Sequence, residues 1–277
     1  MARVEPIVDE PAAVADLGAE RALFIADVHA GIEVGLRYER GVELSSRATE
    51  RRDRLLRLLA ETDADRLVVL GDLAHRIGAP DGDEHDELER LIGAVTDRVQ
   101  MTLVEGNHDA GVAESFAEDL HVIGPGGDLL APGGSAADDS DDVDGVGTVG
   151  VLHGHTWPDP GLLEADVICM GHEHPQVRLE DLVGGSRTER VWLRGSVDLP
   201  TFADERFGAK SDADDEGEID SDDPPELVVF PAFNERSGGT WVNVDGQSFL
   251  APFLPAALPE GDAYLLDGTR LGDYRRV

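Results

Sequence analysis

Five short segments hold most of the residues that could grip a metal or move a proton. They are Asp27-Val28-His29, Gly71-Asp72, Gly106-Asn107-His108-Asp109, His153-Gly154-His155 and Gly171-His172-Glu173-His174. Side chains at i and i+2 of an extended chain point the same way. Asp27 and His29 can therefore hold one ion together, and His172 with His174 can reach two neighbouring ions. Glycines 71, 106, 154 and 171 let the backbone turn sharply and approach a ligand closely. The donors are carboxylate, amide and imidazole, with no thiolate. That mixture suits Mn, Fe, Zn, Co or Ni and does not choose among them. Two such ions about 3.5–4 Å apart activate water and take up charge on a phosphoryl group. Each segment alone is weak, since an isolated Asp-x-His or Gly-Asp is usually structural. The reading rests on all five together.

The elements that must position these residues follow from hydrophobic patterning. Residues 22–26, 67–70 and 101–104 read as buried strands. Residues 47–60 read as a helix with Leu55, Leu56, Leu58 and Leu59 on its apolar side, and 84–99 as a second helix. Strands alternating with helices indicate parallel βαβ units. In the second half, 149–152, 167–170, 191–193 and 227–230 read as strands with little helix between them. This predicts an α/β chain with a second sheet packed on the first and helices outside, as one domain over 1–277. Asp27-Val28-His29 finishes a predicted strand and the other four segments directly follow one, where α/β sheets bind ligands. Residues 135–144, with five Asp, and 211–223, with eight acidic residues, are too charged to bury and read as solvated, disordered insertions.

The formal charge is −35, from 58 acidic and 23 basic residues, and Lys210 is the only lysine among those 23. Acid excess with almost no lysine indicates a protein that works in concentrated salt. There the Debye length is about 3 Å, so global repulsion scarcely reaches a polyanionic substrate. The rival reading is a surface that rejects polyanions. The single cysteine, Cys169, excludes an intrachain disulfide framework and a cysteine-cluster metal site. No apolar run approaches the roughly 20 residues of a membrane span, and residues 1–11 lack the pattern of a signal peptide. The expected location is a cytoplasm, one of high salt.

The order D-x-H, GD, GNHD, H and GHxH resembles the calcineurin-like metallophosphoesterase superfamily over about residues 22–198. The resemblance implies a four-layer α/β/β/α sandwich of two mixed β-sheets flanked by helices, with two metal ions at the sheet edge. It implies that Asp27, His29 and His174 hold the first metal, that Asn107, His153 and His172 hold the second, and that Asp72 bridges both. It also implies that His108 acts on the leaving group and that Asp109 orients His108. The stretch 23–76, LFIADVHAGIEVGLRYERG and then RLVVLGDLAHR, is similar to SbcD-related archaeal phosphoesterases and ligase-associated DNA endonucleases. Those relatives imply Mn-dependent phosphodiester cleavage, with DNA as substrate, in DNA repair.

Some residues stay open at this point. His153 is preferred to His155 as a ligand, being nearer the strand end and matching the family pattern. His75 either faces the substrate or is a surface histidine at a helix start. Arg37 and Arg40, read as a short loop, either guide a nucleic-acid backbone or pair with the abundant carboxylates. Arg47, Arg51 and Arg54 share a helical face, where pairing with acids is the stronger reading. Aromatics are only 5%, so no extended stacking platform is indicated. Two rivals to a nuclease are a small-molecule phosphodiesterase and a scaffold that has lost catalysis; a scaffold would lack ligand positions that are all filled here. Residues 230–233 and 237–239 resemble a closing strand and turn, and 254–259 an irregular covering segment. The oligomeric state is not legible.

Overall fold

The computed structural model describes residues 4–130, 147–181, 183–202 and 224–277. Both acidic insertions and Lys210 lie outside the described residues. The first sheet contains β1 (Glu5–Pro6), β2 (Ala12–Asp16), β3 (Arg21–Ile25), β4 (Arg66–Val69), β5 (Gln100–Val104) and β6 (His121–Ile123), in that order. Strands β3 to β6 are parallel, and β1 and β2 add an antiparallel edge. Parallel neighbours need long crossovers. These are α1 (Ile32–Arg40) and α2 (Ala48–Thr62) after β3, α3 (Gly82–Thr96) after β4 and α4 (Ala110–Ser115) after β5.

Period-2 alternation divides the first sheet's side chains between two cores. Leu23, Ile25, Leu67, Val69, Met101 and Leu103 face the helices, where Leu55, Leu58 and Leu59 of α2 meet Leu88, Leu91, Ile92 and Val95 of α3. Phe24, Val68 and Val104 face the other way and meet the second sheet at Val149, Val151, Cys169, Trp192, Val228 and Phe230. The Trp192 and Phe230 rings pack edge to face at 4.7 Å, and Phe24 lies 6.5 Å from Phe230. Burial pushes the Cys169 thiol above its ordinary pKa, so it behaves as a small core hydrophobe.

The second sheet contains β7 (Asp128–Leu130), β8 (Val149–Leu152), β9 (Val167–Met170), β10 (Gln176–Glu180), β11 (Ser186–Ser196), β12 (Glu226–Val229), β13 (Asp262–Leu265) and β14 (Arg270–Asp273). Its order is β14-β13-β11-β12-β9-β8-β7, with β10 paired to the first half of β11. Strands β8, β9 and β12 are mutually parallel and the other pairs antiparallel. Its outer face carries Leu152, Ile168, Met170, Leu193, Leu227 and Val229. A 3-10 turn at Pro160–Glu164 and the turns bearing Phe253, Leu254, Ala257 and Leu258 cover that face. This outermost layer is thin, and α5 (Leu199–Phe202) adds only four residues to it.

Two local expectations need correction. Arg37 and Arg40 lie on α1 and not in a loop; Gly35 in the middle of that helix hides its pattern. Residues 230–233 form no strand, because β12 ends at Val229 and the chain turns back toward β3. No helix of the described residues is long and apolar enough to cross a membrane.

Phe24 ties both sheets together, so Phe24→Ala should cost about 3–5 kcal/mol through lost burial and a residual cavity. Urea unfolding in molar KCl checks this, and the slope with denaturant should stay constant.

Candidate metal centre

Strands β3, β4, β5, β8 and β9 all end at one edge of the paired sheets, and every candidate ligand follows one of those ends. Asp27 and His29 follow β3, Asp72 follows β4, Asn107 and His108 follow β5, His153 follows β8, and His172 and His174 follow β9. The chain must swerve there to aim side chains at a common point. Asp27, His29, Asp72, His172 and His174 all adopt positive φ, at 55°, 45°, 51°, 69° and 44°. Such conformations cost non-glycine residues of order 1–3 kcal/mol each. Cross-links between loops hold them: Asp27 N donates to Gly71 O at 3.1 Å and His29 N to Asp72 O at 2.9 Å. At Gly106 a Cβ would come within 2.5 Å of the Asp72 backbone nitrogen, so this approach demands glycine.

The donor atoms converge in two triads, linked by a third, His29, Asp72 and His108, that shares one residue with each. Asp27, His29 and His174 offer ligand atoms within 4.8 Å of one another, and so do Asp72, His153 and His172. His174 Nε2 lies 3.1 Å from Asp27 Oδ1 and 3.4 Å from His29 Nε2. Asp72 Oδ1 lies 3.4 Å from His153 Nε2, and Asp72 Oδ2 lies 3.8 Å from His29 Nε2 and 3.7 Å from His108 Nε2. Asn107 Oδ1 lies 3.2 Å from His153 Nε2. His155 stands outside these triads, with its ring 5.3 Å from that of His153 and 6.1 Å from that of His172. His75 sits beside the centre, its ring 5.6 Å from His29 and stacked 6.2 Å from His108.

A family model described as calcineurin-like phosphoesterase matches residues 20–199, which contain all five segments. The chain belongs to the calcineurin-like phosphoesterase family. It is a metal-dependent hydrolase. The fold is similar to that of nuclease MPE from Pseudomonas putida, at 20% identity and a TM-score of 0.53, covering 97% of this chain and 100% of that one. A phosphoesterase from E. coli, YfcE, aligns at 26% identity over 58% of this chain and 73% of its own, with a TM-score of 0.34. No curated protein matches the sequence.

The family works with two metal ions, and the residues of this phosphoesterase fit them. A ligating imidazole normally donates its remote N–H to a fixed acceptor, which settles the tautomer. His153 Nδ1 donates to Leu70 O and His174 Nδ1 donates to Gly238 O, each at 2.7 Å. Both rings therefore turn the Nε2 lone pair inward.

Electrostatics agree with a site built for cations. Burial works against the Asp72 carboxylate, but the hydrogen bond and charge of His153, with His29 and His108, hold it well below the usual range. Burial likewise opposes ionisation of Asp27, and His174 outweighs it, so the Asp27 pKa is lowered. Burial, reinforced by neighbouring imidazoles, pushes His29 and His172 down to about 4. His153 is also penalised by burial, yet Asp72 and Asp27 lift it to about 9.

Several supporting residues escaped the sequence reading. Both oxygens of Asp109 accept backbone N–H groups, from Leu73 at 2.9 Å, Ala74 at 3.3 Å and Gly106 at 3.0 Å. The carboxylate expected to orient His108 thus braces two loops, and the carbonyl of His75 accepts from His108 Nδ1 instead. Glu173, between the last two ligands, accepts from Leu250 N, Ala251 N and Thr240 Oγ1. Asn234 donates from its amide to Val28 O at 2.8 Å, and its backbone N–H to Asp27 O at 3.2 Å. No spacing rule points to these, since every partner but Gly106 is remote in sequence. Arg47, just before α2, pairs with Glu235, and on α2 Arg51 pairs with Glu33 and Glu87 and Arg54 with Glu10.

In the metal-free chain His153 keeps its proton up to about pH 9, whereas a ligand must be neutral. Metal loading near pH 7.5 should therefore release a proton, and apparent affinity should rise with pH until it flattens above about 9. Calorimetric titration with Mn²⁺ in buffers of different ionisation enthalpy measures that proton.

Proposed function

We propose that this phosphoesterase is a Mn-dependent phosphodiesterase that cuts nucleic acid, in the manner of a DNA-repair nuclease, and works in a salt-rich cytoplasm. Asp27, His29 and His174 are assigned to one ion, Asn107, His153 and His172 to the other, and Asp72 to both. When bound, two such ions supply Lewis acidity toward phosphoryl oxygens and acidify water at neutral pH.

The observation that carries the reading is the setting of His108. Its Nδ1 donates to the His75 carbonyl, so Nε2 is the nitrogen left to face the centre, 3.7 Å from Asp72 Oδ2. Its side chain is 21% exposed, unlike the ligand His153 at 0%, so a substrate can reach it. Protonated at Nε2, His108 can deliver that proton to a departing alkoxide and return to the neutral Nδ1–H form. We assign a phosphate diester rather than a monoester as the substrate class. The nuclease named among the similar folds supports the same choice.

Arg37 and Arg40 are assigned to the substrate backbone. Both are exposed on the last turn of α1, the helix that begins three residues after His29, and neither forms an ion pair among the described residues. Tyr38 between them is 81% exposed. His75, against which Gly35 of the same helix packs, lies between that turn and the centre.

Two assays test this reading. In molar KCl with Mn²⁺, wild type should prefer bis(p-nitrophenyl) phosphate to p-nitrophenyl phosphate and should also cut oligodeoxynucleotides. His108→Ala should lose about 10²–10⁴ of kcat on the oligonucleotide while keeping its metal content. A monoester preference would remove the diesterase reading, and diester activity without oligonucleotide cleavage would favour a small-molecule substrate. Arg37→Glu with Arg40→Glu should raise KM for the oligonucleotide and flatten its log–log salt dependence by about 1–2, with no change on the small diester.

A further inference from the structure

The assignments above leave one buried carboxylate unused. Glu84, on the first turn of α3, is fully buried and forms no ion pair among the described residues. Its Oε1 accepts the N–H groups of His75 at 3.0 Å and Arg76 at 2.9 Å, while its Oε2 has no hydrogen-bond partner. An uncompensated buried carboxylate is costly, and the fold makes room for it. Gly31, at φ +83°, lies against its side chain, where a Cβ would come 2.6 Å from Glu84 Cγ.

The two groups that meet at residues 75 and 76 are the key. The Arg76 N–H and the His75 C=O belong to one planar peptide group. Glu84 binds its N–H end, and His108 Nδ1 donates to its C=O end. An acceptor held on the N–H end polarises the peptide and makes its oxygen a stronger acceptor.

We propose that Glu84 is a positioning residue that acts on His108 through the 75–76 peptide. It fixes the Nδ1–H form of the imidazole and aims Nε2 at the centre. This is the work a directly bonded carboxylate does in an ordinary acid–imidazole pair, here passed through one peptide. Asp109 does not do it: its Oδ1 accepts from Leu73 and Ala74, its Oδ2 accepts from Gly106, and His108 Nδ1 bonds the His75 carbonyl. The proposal rests on His108 as the proton donor to the leaving group.

The test compares the Mn-loaded full chain as wild type, Glu84→Gln, His108→Ala and the double variant. Two diesters are used: bis(p-nitrophenyl) phosphate, whose leaving group scarcely needs a proton, and diphenyl phosphate, whose leaving group does. Glutamine keeps the shape and one acceptor oxygen but replaces the carboxyl group with an amide. Glu84→Gln should lower kcat on diphenyl phosphate about tenfold, with KM and metal content unchanged. The loss on the nitrophenyl diester should stay within about twofold. In the His108→Ala background Glu84→Gln should cause no further loss, because its effect passes through that ring. Equal losses on both diesters, or the same fold-loss with and without His108, would show a merely structural carboxylate and overturn the relay. If His108→Ala alone leaves diphenyl phosphate turnover intact, the proton-donor assignment itself fails, which separates the two failures. Glu84→Asp, which keeps the carboxyl group and withdraws its oxygen from the two amides, is read the same way should the glutamine variant fail to fold.

Discussion

The Asp72 carboxylate is the point on which the rest of the structure turns. Three imidazole nitrogens from three other loops lie within 4 Å of it. A carboxylate so buried is stable only if positive charge is brought to it, by protonated histidine or by metal. Every loop at the sheet edge contributes to that concentration. The parallel strands make it geometrically possible, because their carboxyl ends deliver five loops to one place. An antiparallel arrangement would send alternate loops to the opposite edge.

Such convergence carries a conformational cost. Five ligand residues take left-handed backbone angles, and strain of this kind persists only where the surroundings over-determine it. Here the surroundings are carboxylates and carbonyls. Asp109 braces the loops after β4 and β5, Glu173 ties the loop after β9 to the covering segment, and Asn234 clamps the loop after β3. The covering segment is therefore part of the site's rigidity, although it contributes no candidate ligand. Arg51, gripped by Glu33 and Glu87, does the same work beneath α1: Glu87 also accepts the Gly31 N–H that precedes the helix. Arg51 spends its donors on carboxylates, whereas Asp109, Glu173 and Asn234 spend most of their bonding capacity on a neighbour's backbone.

What could be read from the sequence divides along the same line. Strands 149–152 and 167–170 were legible to the residue, since a short apolar run ending in a Gly–His signal has one good explanation. The ligand types were legible because each D-x-H or GHxH is a local pattern, and the structure gathers those residues at one edge. Helix α1 was not legible, because Gly35 breaks the propensity signal that tertiary packing against His75 requires. The partner of His108 was misread for a deeper reason. The family resemblance implied Asp109, but a turn that aims His108 at the centre aims its neighbour into the protein. The actual partner is a backbone carbonyl, and backbone groups leave no mark in a sequence.

The same logic reaches the surface. A charge of −35 makes acidic partners easy for any arginine to find, and Arg47, Arg51 and Arg54 have found them. Arg37 and Arg40, on the last turn of α1, form no ion pair among the described residues. In concentrated salt a long-range field would be screened within a few ångströms, so attraction must act at contact. Two exposed guanidinium groups on a rigid helix end meet that condition, whereas a diffuse basic surface would not. An acidic protein can thus hold a polyanion without any global basic character, provided its few cations stand where the substrate strand must pass.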